Sequence, residues 1–459
     1  MSVGVIVLAA GKGTRMRTGN AKVLHTAAGR SLLDWVLDAS NALNPSEVSV
    51  VVGHQSDEVA ATLPAGAASV VQEPQNGTGH AAQVGLSGFS DSHDTIVVLP
   101  GDMPLIRPET LADLVAAHTA ADVGATVLTV ELEDPHGYGR IVRADGGVAG
   151  IVEERDATAD QRAISEVNTS VYAFDGHLLG TALEGISDDN DQGELYLTDV
   201  IGVLVDDGHA VGAHRADSEE GLGVNSHAQL AEAAAVLRSR INADLLEAGV
   251  WMLDPSRVYI DAGVIVAPGV EIHPDTYLTG TTEIAAGACI GPSVQIADSV
   301  IGPDSVVVNA VVKEAIVGAN VSVGPFAYLR PGAVLADGAK IGTYVEIKNS
   351  SVGEGSKVPH LSYIGDTTIG RDSNIGAATV TVNYDGFAKH ATEIGDRVKI
   401  GSDSMLVAPV TIGDDAFTGA GSVITHDVPD GALGVERNLQ RNIPGYAEKR
   451  RRRAEEESD

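Results

Sequence analysis

The chain has 459 residues and a formal net charge of −33, with 63 acidic residues against 30 basic ones. That length predicts two or three domains with ample core. The acidity excludes general nucleic-acid binding, because any anionic ligand must be held by locally placed Arg, Lys and backbone N–H groups against the field of the whole molecule. The single Cys289 has no intramolecular disulfide partner, and beside Ile290 in an apolar repeat it reads as buried or half-buried structural packing. The opening MSVGVIVLAAGKGT lacks the charged start and small-residue cleavage site of a signal peptide, and no apolar run reaches spanning length. A cytoplasmic protein without a membrane partner is therefore expected.

Val3 to Leu8 is a continuous apolar run suited to a buried parallel strand. It runs into Ala9-Ala10-Gly11-Lys12-Gly13-Thr14-Arg15-Met16. A strand followed by a Gly-rich turn cradles phosphate, since glycines let backbone N–H groups approach an anion and Lys12 and Arg15 add charge. The spacing is neither GxGxxG nor GxxxxGK[ST], which removes the dinucleotide and P-loop readings. Further strands are expected at Val48–Val52, Thr95–Leu99 and Ala125–Val130, alternating with helices at Ser31–Leu43 and at Pro108–Ala120, where proline takes the first helical position. This alternation predicts an open, Rossmann-like α/β sheet with its site at the carboxyl ends of the strands. Asp102, just after one of those strands, suits a hard cation that prefers oxygen ligands.

Ser226-His227-Ala228-Gln229 is a capping-box pattern, and Leu230, Ala234, Leu237, Ile241, Leu245 and Ala248 follow at helical steps before Gly249. One long helix is expected to join the two halves. Beyond it an aliphatic residue recurs every six positions: Val266, Ile272, Leu278, Ile284, Ile290 and Ile296, then after a slip Ile301. The series continues through Val317, Val323, Leu329, Leu335, Ile341, Ile347, Val352, Val358, Ile364, Ile369 and Ile375. It resumes at Ile394, Ile400, Leu406, Ile412, Thr418 and Ile424 after an interruption that opens with Asn383-Tyr384-Asp385-Gly386. No helix has that period; a hexapeptide repeat builds a triangular parallel β-helix with the aliphatic residue of each hexad inside. The expected domains are 1–225 (α/β), 226–249 (linker helix), 250–440 (β-helix) and 441–459, a flexible charged tail carrying Lys449 to Arg453.

Taken together, these motifs resemble the bacterial family of bifunctional N-acetylglucosamine-1-phosphate uridylyltransferase / glucosamine-1-phosphate N-acetyltransferases, from Val5 to about Asn438. The resemblance implies a left-handed β-helix and three small-molecule substrates: glucosamine 1-phosphate, acetyl-CoA and UTP. A prism of this kind has flat faces suited to packing around a threefold axis, which predicts a homotrimer in which neighbouring chains complete each acetyl-transfer site. In the N-terminal half it implies that Leu8, Ala9, Ala10, Gly11, Lys22, Gln72, Gly77 and Thr78 hold the nucleotide, that Gly139, Glu153 and Asn168 hold the N-acetylglucosamine moiety, and that Asp102 and Asn225 hold Mg²⁺. Ala21 stands where the family usually has proline. In the C-terminal half it implies that Arg330, Lys348, Tyr363, Asn374 and Lys389 bind glucosamine 1-phosphate, that His360 is the general base, and that Ala377, Asn383, Tyr384, Ser402, Ala420 and Arg437 contact acetyl-CoA.

The chemistry asks for such groups. An ammonium cannot attack a thioester, so a base must first take a proton, and imidazole is suited to that near neutrality. Joining a sugar phosphate to UTP brings two polyanions together, so a metal and cations must offset their repulsion. His360 is read as that base because Lys348 and Tyr363 stand in register with it, whereas His25, His54, His80, His118, His136 and His273 lack such company and read as structural. No Cys/His cluster is expected to hold a structural metal. Two other readings compete: a nucleotidyltransferase whose prism only oligomerises or regulates, and a binding protein that keeps the folds without catalysis.

Overall fold

The computed structural model describes residues 2–144, 146–190 and 192–457 and divides the chain into two compact units, Met1–Ile241 and Asn242–Asp459. In the first unit the strands are β1 (Val3–Ala9), β2 (Glu47–Val52), β3 (Ala67–Val71), β4 (Thr95–Pro100), β5 (Ala125–Glu131), β6 (Arg140–Ala144), β7 (Gly147–Val152), β8 (Glu166–Asp175) and β9 (Val211–Arg215). They form one sheet in the order β9-β5-β8-β4-β1-β2-β3, with β6 and β7 attached as a hairpin beside β8. β4, β1, β2 and β3 are parallel, and β8 runs antiparallel to both β4 and β5. Val5, Ile6, Val7, Val97, Val98 and Leu99 are fully buried, because the central strands are covered on both faces and therefore need apolar side chains at every position.

Helices Leu32–Asn41 and Pro108–Ala121 occupy the positions the alternation predicts. The first opens on a reciprocal cap, with the Asp34 N–H donating to the Ser31 hydroxyl at 3.0 Å and the Ser31 N–H donating to the Asp34 carboxylate at 3.2 Å. The long helix spans His227–Glu247. Its cap differs from the simple box: the Gln229 N–H donates to Ser226 Oγ at 3.3 Å, while the Gln229 side chain accepts from the backbone of Asn225, one residue earlier, at 2.9 Å. Ala233 and Leu237 bury themselves with Leu32, Leu105 and Val224, so this half of the helix is part of the first unit's core rather than a bare linker.

The second unit is a stack of three parallel sheets with 11, 10 and 9 strands, visited in turn by successive short strands. Every aliphatic hexad position named above, from Val266 to Ile424, is buried, and so is Thr418. Each such side chain contributes roughly 1.5–3 kcal/mol on burial, and the sum over the stack offsets the entropy of ordering so many short strands.

Many coil corners take a left-handed conformation, and Asp or Asn occupies most of those not held by glycine: Asp298, Asp304, Asn309, Asn320, Asn349, Asp366, Asp372, Asp403 and Asp415 all have positive φ. These are the non-glycine residues that tolerate that region best. Other corner aspartates reach to the adjacent coil, as Asp337 accepts from the Ala319 N–H at 2.8 Å and Asp414 from the Asp396 N–H at 2.8 Å. Part of the acidic excess is thus structural. The remainder repels itself, so the melting temperature is expected to rise between about 10 mM and about 0.15 M NaCl, as the Debye length contracts from about 30 to about 8 Å. A flat or falling curve in a thermal-shift titration would show the charges to be locally compensated.

At the C-terminal end, residues Tyr446–Glu456 form a helix with no buried side chain. Glu456 and Glu457 stand one turn after Arg452 and Arg453, at 4.0 and 3.0 Å, and support the helix as i,i+4 pairs. Residues 458 and 459 of the expected tail lie outside the described residues.

Candidate functional site

The carboxyl edge of the first unit's sheet opens into a cleft of 1270 Å³. Register places Leu8 opposite Pro100, so the chain leaving β1 and the chain leaving β4 emerge side by side, and the Gly101 N–H donates to the Leu8 carbonyl at 2.9 Å. Leu8, Ala9, Ala10, Gly11, Lys22, Gln72, Gly77, Thr78, Asp102, Glu153, Asn168 and Asn225 all line the cleft. Gly139 is the exception. It sits behind the wall, where its carbonyl accepts from the Asn168 N–H at 2.9 Å, and a Cβ there would stand 3.1 Å from Ile151 and 3.6 Å from Glu153.

Asp102 and Asn225 are brought together by a backbone bond from the Val224 N–H to the Asp102 carbonyl at 2.9 Å. Their side-chain oxygens converge on one cation, the ammonium of Lys22, which pairs with the Asp102 carboxylate and donates to Asn225 Oδ1 at 3.0 Å. Arg15 also donates to Asn225 Oδ1, at 3.0 Å. A carboxylate and an amide oxygen aimed at one cation are the hard donor set that a divalent metal requires. Ala21, the departure from the family's proline, is buried and leaves Lys22 placed at the head of a one-turn helix.

At one end of the cleft Gln72 is buried and donates to the Gly77 carbonyl at 2.9 Å. Gly77 has φ +94° and would place a Cβ 2.5 Å from the Leu195 carbonyl, so only glycine fits there. At the far end β8 carries a bulge between Asn168 and Tyr172, which turns Asn168 toward Tyr172, to whose hydroxyl it donates at 2.8 Å. Burial raises the Glu153 carboxyl above the usual range, aided by the charges of Asp199 and Asp156 and opposed by a bond from Thr198 at 3.3 Å. Gln75, Tyr196 and Thr198 were not legible as cleft residues; they come from loops whose return to the sheet edge has no local motif. His54, read as structural, also lines the cleft.

On the prism the expected residues fall along two edges. The first edge is a vertical series of corners. The Ala378 N–H donates to the His360 carbonyl at 3.3 Å, the Asp403 N–H to Ala377 at 2.7 Å and the Gly421 N–H to Ser402 at 2.8 Å. Arg437 then donates to the Ala420 carbonyl at 2.9 Å. His360, Ala377, Ser402, Ala420 and Arg437 therefore share one continuous edge, with the exposed His360 imidazole at one end.

The second edge lies at the far end of the ten-stranded sheet's strands, where Tyr363–Gly365 and Val380–Val382 finish. Lys348 bonds Asp366 at 2.9 and 3.0 Å, and Asn349 reaches the same carboxylate at 2.7 Å, as does Asn383. Burial alone would raise the Asp366 carboxyl, yet these bonds hold it below its ordinary value. Asp366 raises the Lys348 ammonium, and Lys348 in turn lowers that of Lys389, to which the Arg330 charge adds. Lys348 and Lys389 thus stand crowded beside the Asp366 carboxylate and Tyr363, while Arg330, near enough for its charge to act on Lys389, pairs with Glu346 at 2.8 Å. Gly365 keeps the floor open, since a Cβ would collide with the Tyr363 hydroxyl and with Asn383.

One expectation needs correction: Lys348 pairs with Gly365, Tyr363 with Glu346, and His360 with Thr343, so the three are not in one register. Asn374 stands on a neighbouring sheet, beside Lys357 and Lys399. Asp366 was missed altogether; the only signal was an acidic residue at a strand end.

The interruption of the repeat is a small hairpin bridged at Tyr384 and Lys389, with Phe387 at its tip 97% exposed. Among the described residues no helix is long and apolar enough to cross a membrane.

Residues 5–168 match the MobA-like NTP transferase domain, and residues 314–349 and 391–426 match the bacterial transferase hexapeptide family of six repeats. The "Bifunctional protein GlmU" of Streptomyces avermitilis is 52% identical over 97% of this chain and 94% of its own length. The proteins of the same name from Corynebacterium aurimucosum and Mycolicibacterium vanbaalenii are 48% and 49% identical, each over 97% of this chain and 93% of their own length.

Proposed function

The chain belongs to the family of bifunctional GlmU proteins, and from that premise we infer how its two sites share the synthesis of UDP-N-acetylglucosamine. The prism acetylates glucosamine 1-phosphate from acetyl-CoA. The α/β unit then transfers UMP from UTP to the N-acetylated sugar phosphate, releasing pyrophosphate.

In the prism site, Arg330, Lys348 and Lys389 take the sugar phosphate, whose charge relieves their mutual repulsion. Tyr363 and Asn374 bind the sugar. His360 removes the proton that frees the amine to attack the thioester carbonyl; the adduct's nitrogen gives up its remaining extra proton to solvent, and as the adduct collapses the imidazolium returns its proton to the departing CoA sulfur. Acetyl-CoA lies along the corner series from Ala377 through Ser402 and Ala420 to Arg437, with Asn383 and Tyr384 beside it. That uninterrupted edge, ending in the imidazole, is the observation that carries this reading.

In the cleft, the turn from Leu8 to Gly11 cradles the UTP phosphates, Gln72, Gly77 and Thr78 hold uracil, and Gly139, Glu153 and Asn168 position the acetylated sugar. Nucleotidyl transfer needs a metal, and Mg²⁺ fits the oxygen donors of Asp102 and Asn225; when bound it offsets the charge of the triphosphate. Lys22, which bridges those donors here, stands within reach of the same phosphates.

The reading is tested by supplying glucosamine 1-phosphate, acetyl-CoA and UTP together and then omitting each in turn. UDP-N-acetylglucosamine should form only with all three, unless N-acetylglucosamine 1-phosphate replaces the first two. Failure of the complete mixture would overturn the reading.

The split of the prism residues over two edges, with Asn374 on another sheet, supports a homotrimer in which one protomer's hairpin and the Arg437 segment complete a neighbour's site. Phe387, bare at the hairpin tip, is suited to a partner's surface. Light scattering should give a trimer, and a monomer with full acetyltransferase activity would exclude the arrangement.

A further inference from the structure

Outside both sites, Glu271, His273 and Cys289 form a group of three whose potential ligand atoms all lie within 4.8 Å of one another. The sequence reading expected no Cys/His cluster and took His273 and Cys289 as structural; the group was hidden because a full coil of chain separates its members. Glu271 and His273 flank the inward Ile272, so both project outward, one from the strand Glu271–Ile272 and one from the residue that follows it. Cys289 is the ladder partner of Glu271 on the next coil, and Ile272 pairs with Ile290 beneath them.

The backbone under the three side chains is pinned. The N–H groups of Glu271, His273 and Cys289 donate to Ala288, Ile290 and Ser305 at 2.9, 2.8 and 2.9 Å. His273 Nε2 already meets Glu271 Oε1 at 2.9 Å, and the Trp251 ring stands edge-on to the imidazole with centroids 6.1 Å apart. His273 and Cys289 are half-buried and Glu271 is exposed, which leaves an open side for solvent.

The geometry points to a transition-metal site of the zinc class, formed by the Glu271 carboxylate, the His273 imidazole and the Cys289 thiolate, with water in the fourth position. Ligand atoms around a tetrahedral zinc stand roughly 3.3–3.8 Å apart, so side-chain rotation alone closes the site while the ladder stays in place. Thiolate and imidazole select zinc or cobalt over magnesium, which prefers oxygen. This site is therefore chemically distinct from the Asp102–Asn225 pair. An ion here ties two successive coils together near the first strand of its sheet, where the stack has an unpaired end.

Cys289 is the only cysteine in the chain, which makes the test specific. Full-length protein titrated with Co²⁺ alone should develop a sulfur-to-cobalt charge-transfer absorption that saturates at one ion per chain and is displaced by Zn²⁺. Cys289→Ser should abolish that band. His273→Ala should weaken Co²⁺ binding by about 10–100-fold or more, and Asp102→Asn should leave the band unchanged. Zn²⁺ should raise the melting temperature of the wild type but not of Cys289→Ser. Absence of the band in the folded wild type at stoichiometric Co²⁺, or its persistence at unchanged affinity in His273→Ala, would overturn the assignment.

Discussion

Replacing His360 with Ala is expected to lower acetyl transfer by roughly 10²–10⁴-fold, the usual contribution of a positioned acid–base group, with little change in the KM for glucosamine 1-phosphate. The imidazole is exposed at the corner and no described side-chain bond depends on it, so the coil should keep its fold. The bonds that hold this corner use the His360 carbonyl, which accepts from Ser362 Oγ at 2.7 Å and from the Ala378 N–H, and alanine retains that carbonyl. Uridylyl transfer from supplied N-acetylglucosamine 1-phosphate should stay within about twofold, because the two sites are built in separate compact units, and sites with no shared partners act additively. CoA release and pyrophosphate release, measured on the same preparation, check both halves of the expectation. Loss of both activities in a folded protein, or untouched acetylation, would remove His360 from the role of base on an independent site.

Asp102→Asn should give the reverse pattern. An amide is a weaker metal ligand than a carboxylate, and the lost charge leaves the triphosphate less neutralised where UMP moves. A fall on the order of 10²–10³-fold in pyrophosphate release is expected, comparable to removing one preorganised electrostatic contact from an active site. Raising Mg²⁺ should recover part of the loss. The substitution also deprives Lys22 of a largely buried ion-pair partner, so some loss of stability in the first unit should accompany it. Acetyl transfer should be unaffected.

The prism was legible because its rule is one-dimensional: an aliphatic residue every six positions has to point inward, and from Val266 to Ile424 each one does. The parallel core of the α/β unit was legible for a similar reason, since strands such as Val3–Ala9 are apolar throughout. Strand β8 was not, because it is antiparallel and carries Asn168, Thr169 and Ser170 at its bulge, which breaks any periodic pattern. Most cleft residues were found through the family resemblance, and Gly139 lies against two of them, Glu153 and Asn168. The corner series from His360 to Arg437 depends on how many residues each coil spends, and the hairpin at Asn383 shifts that count in a way that spacing alone does not reveal. Asp366 and the Glu271, His273 and Cys289 group were missed for the same reason, since their neighbours lie a coil away in sequence.

Two chemically separate sites on one chain, linked by a released product, should complement each other when the His360→Ala and Asp102→Asn proteins are mixed with glucosamine 1-phosphate, acetyl-CoA and UTP. Neither protein alone should form UDP-N-acetylglucosamine at an appreciable rate, and the mixture should form it readily, as N-acetylglucosamine 1-phosphate made by the Asp102→Asn prism is used by the His360→Ala cleft. A mixture as inactive as its components, with both proteins folded, would contradict the account.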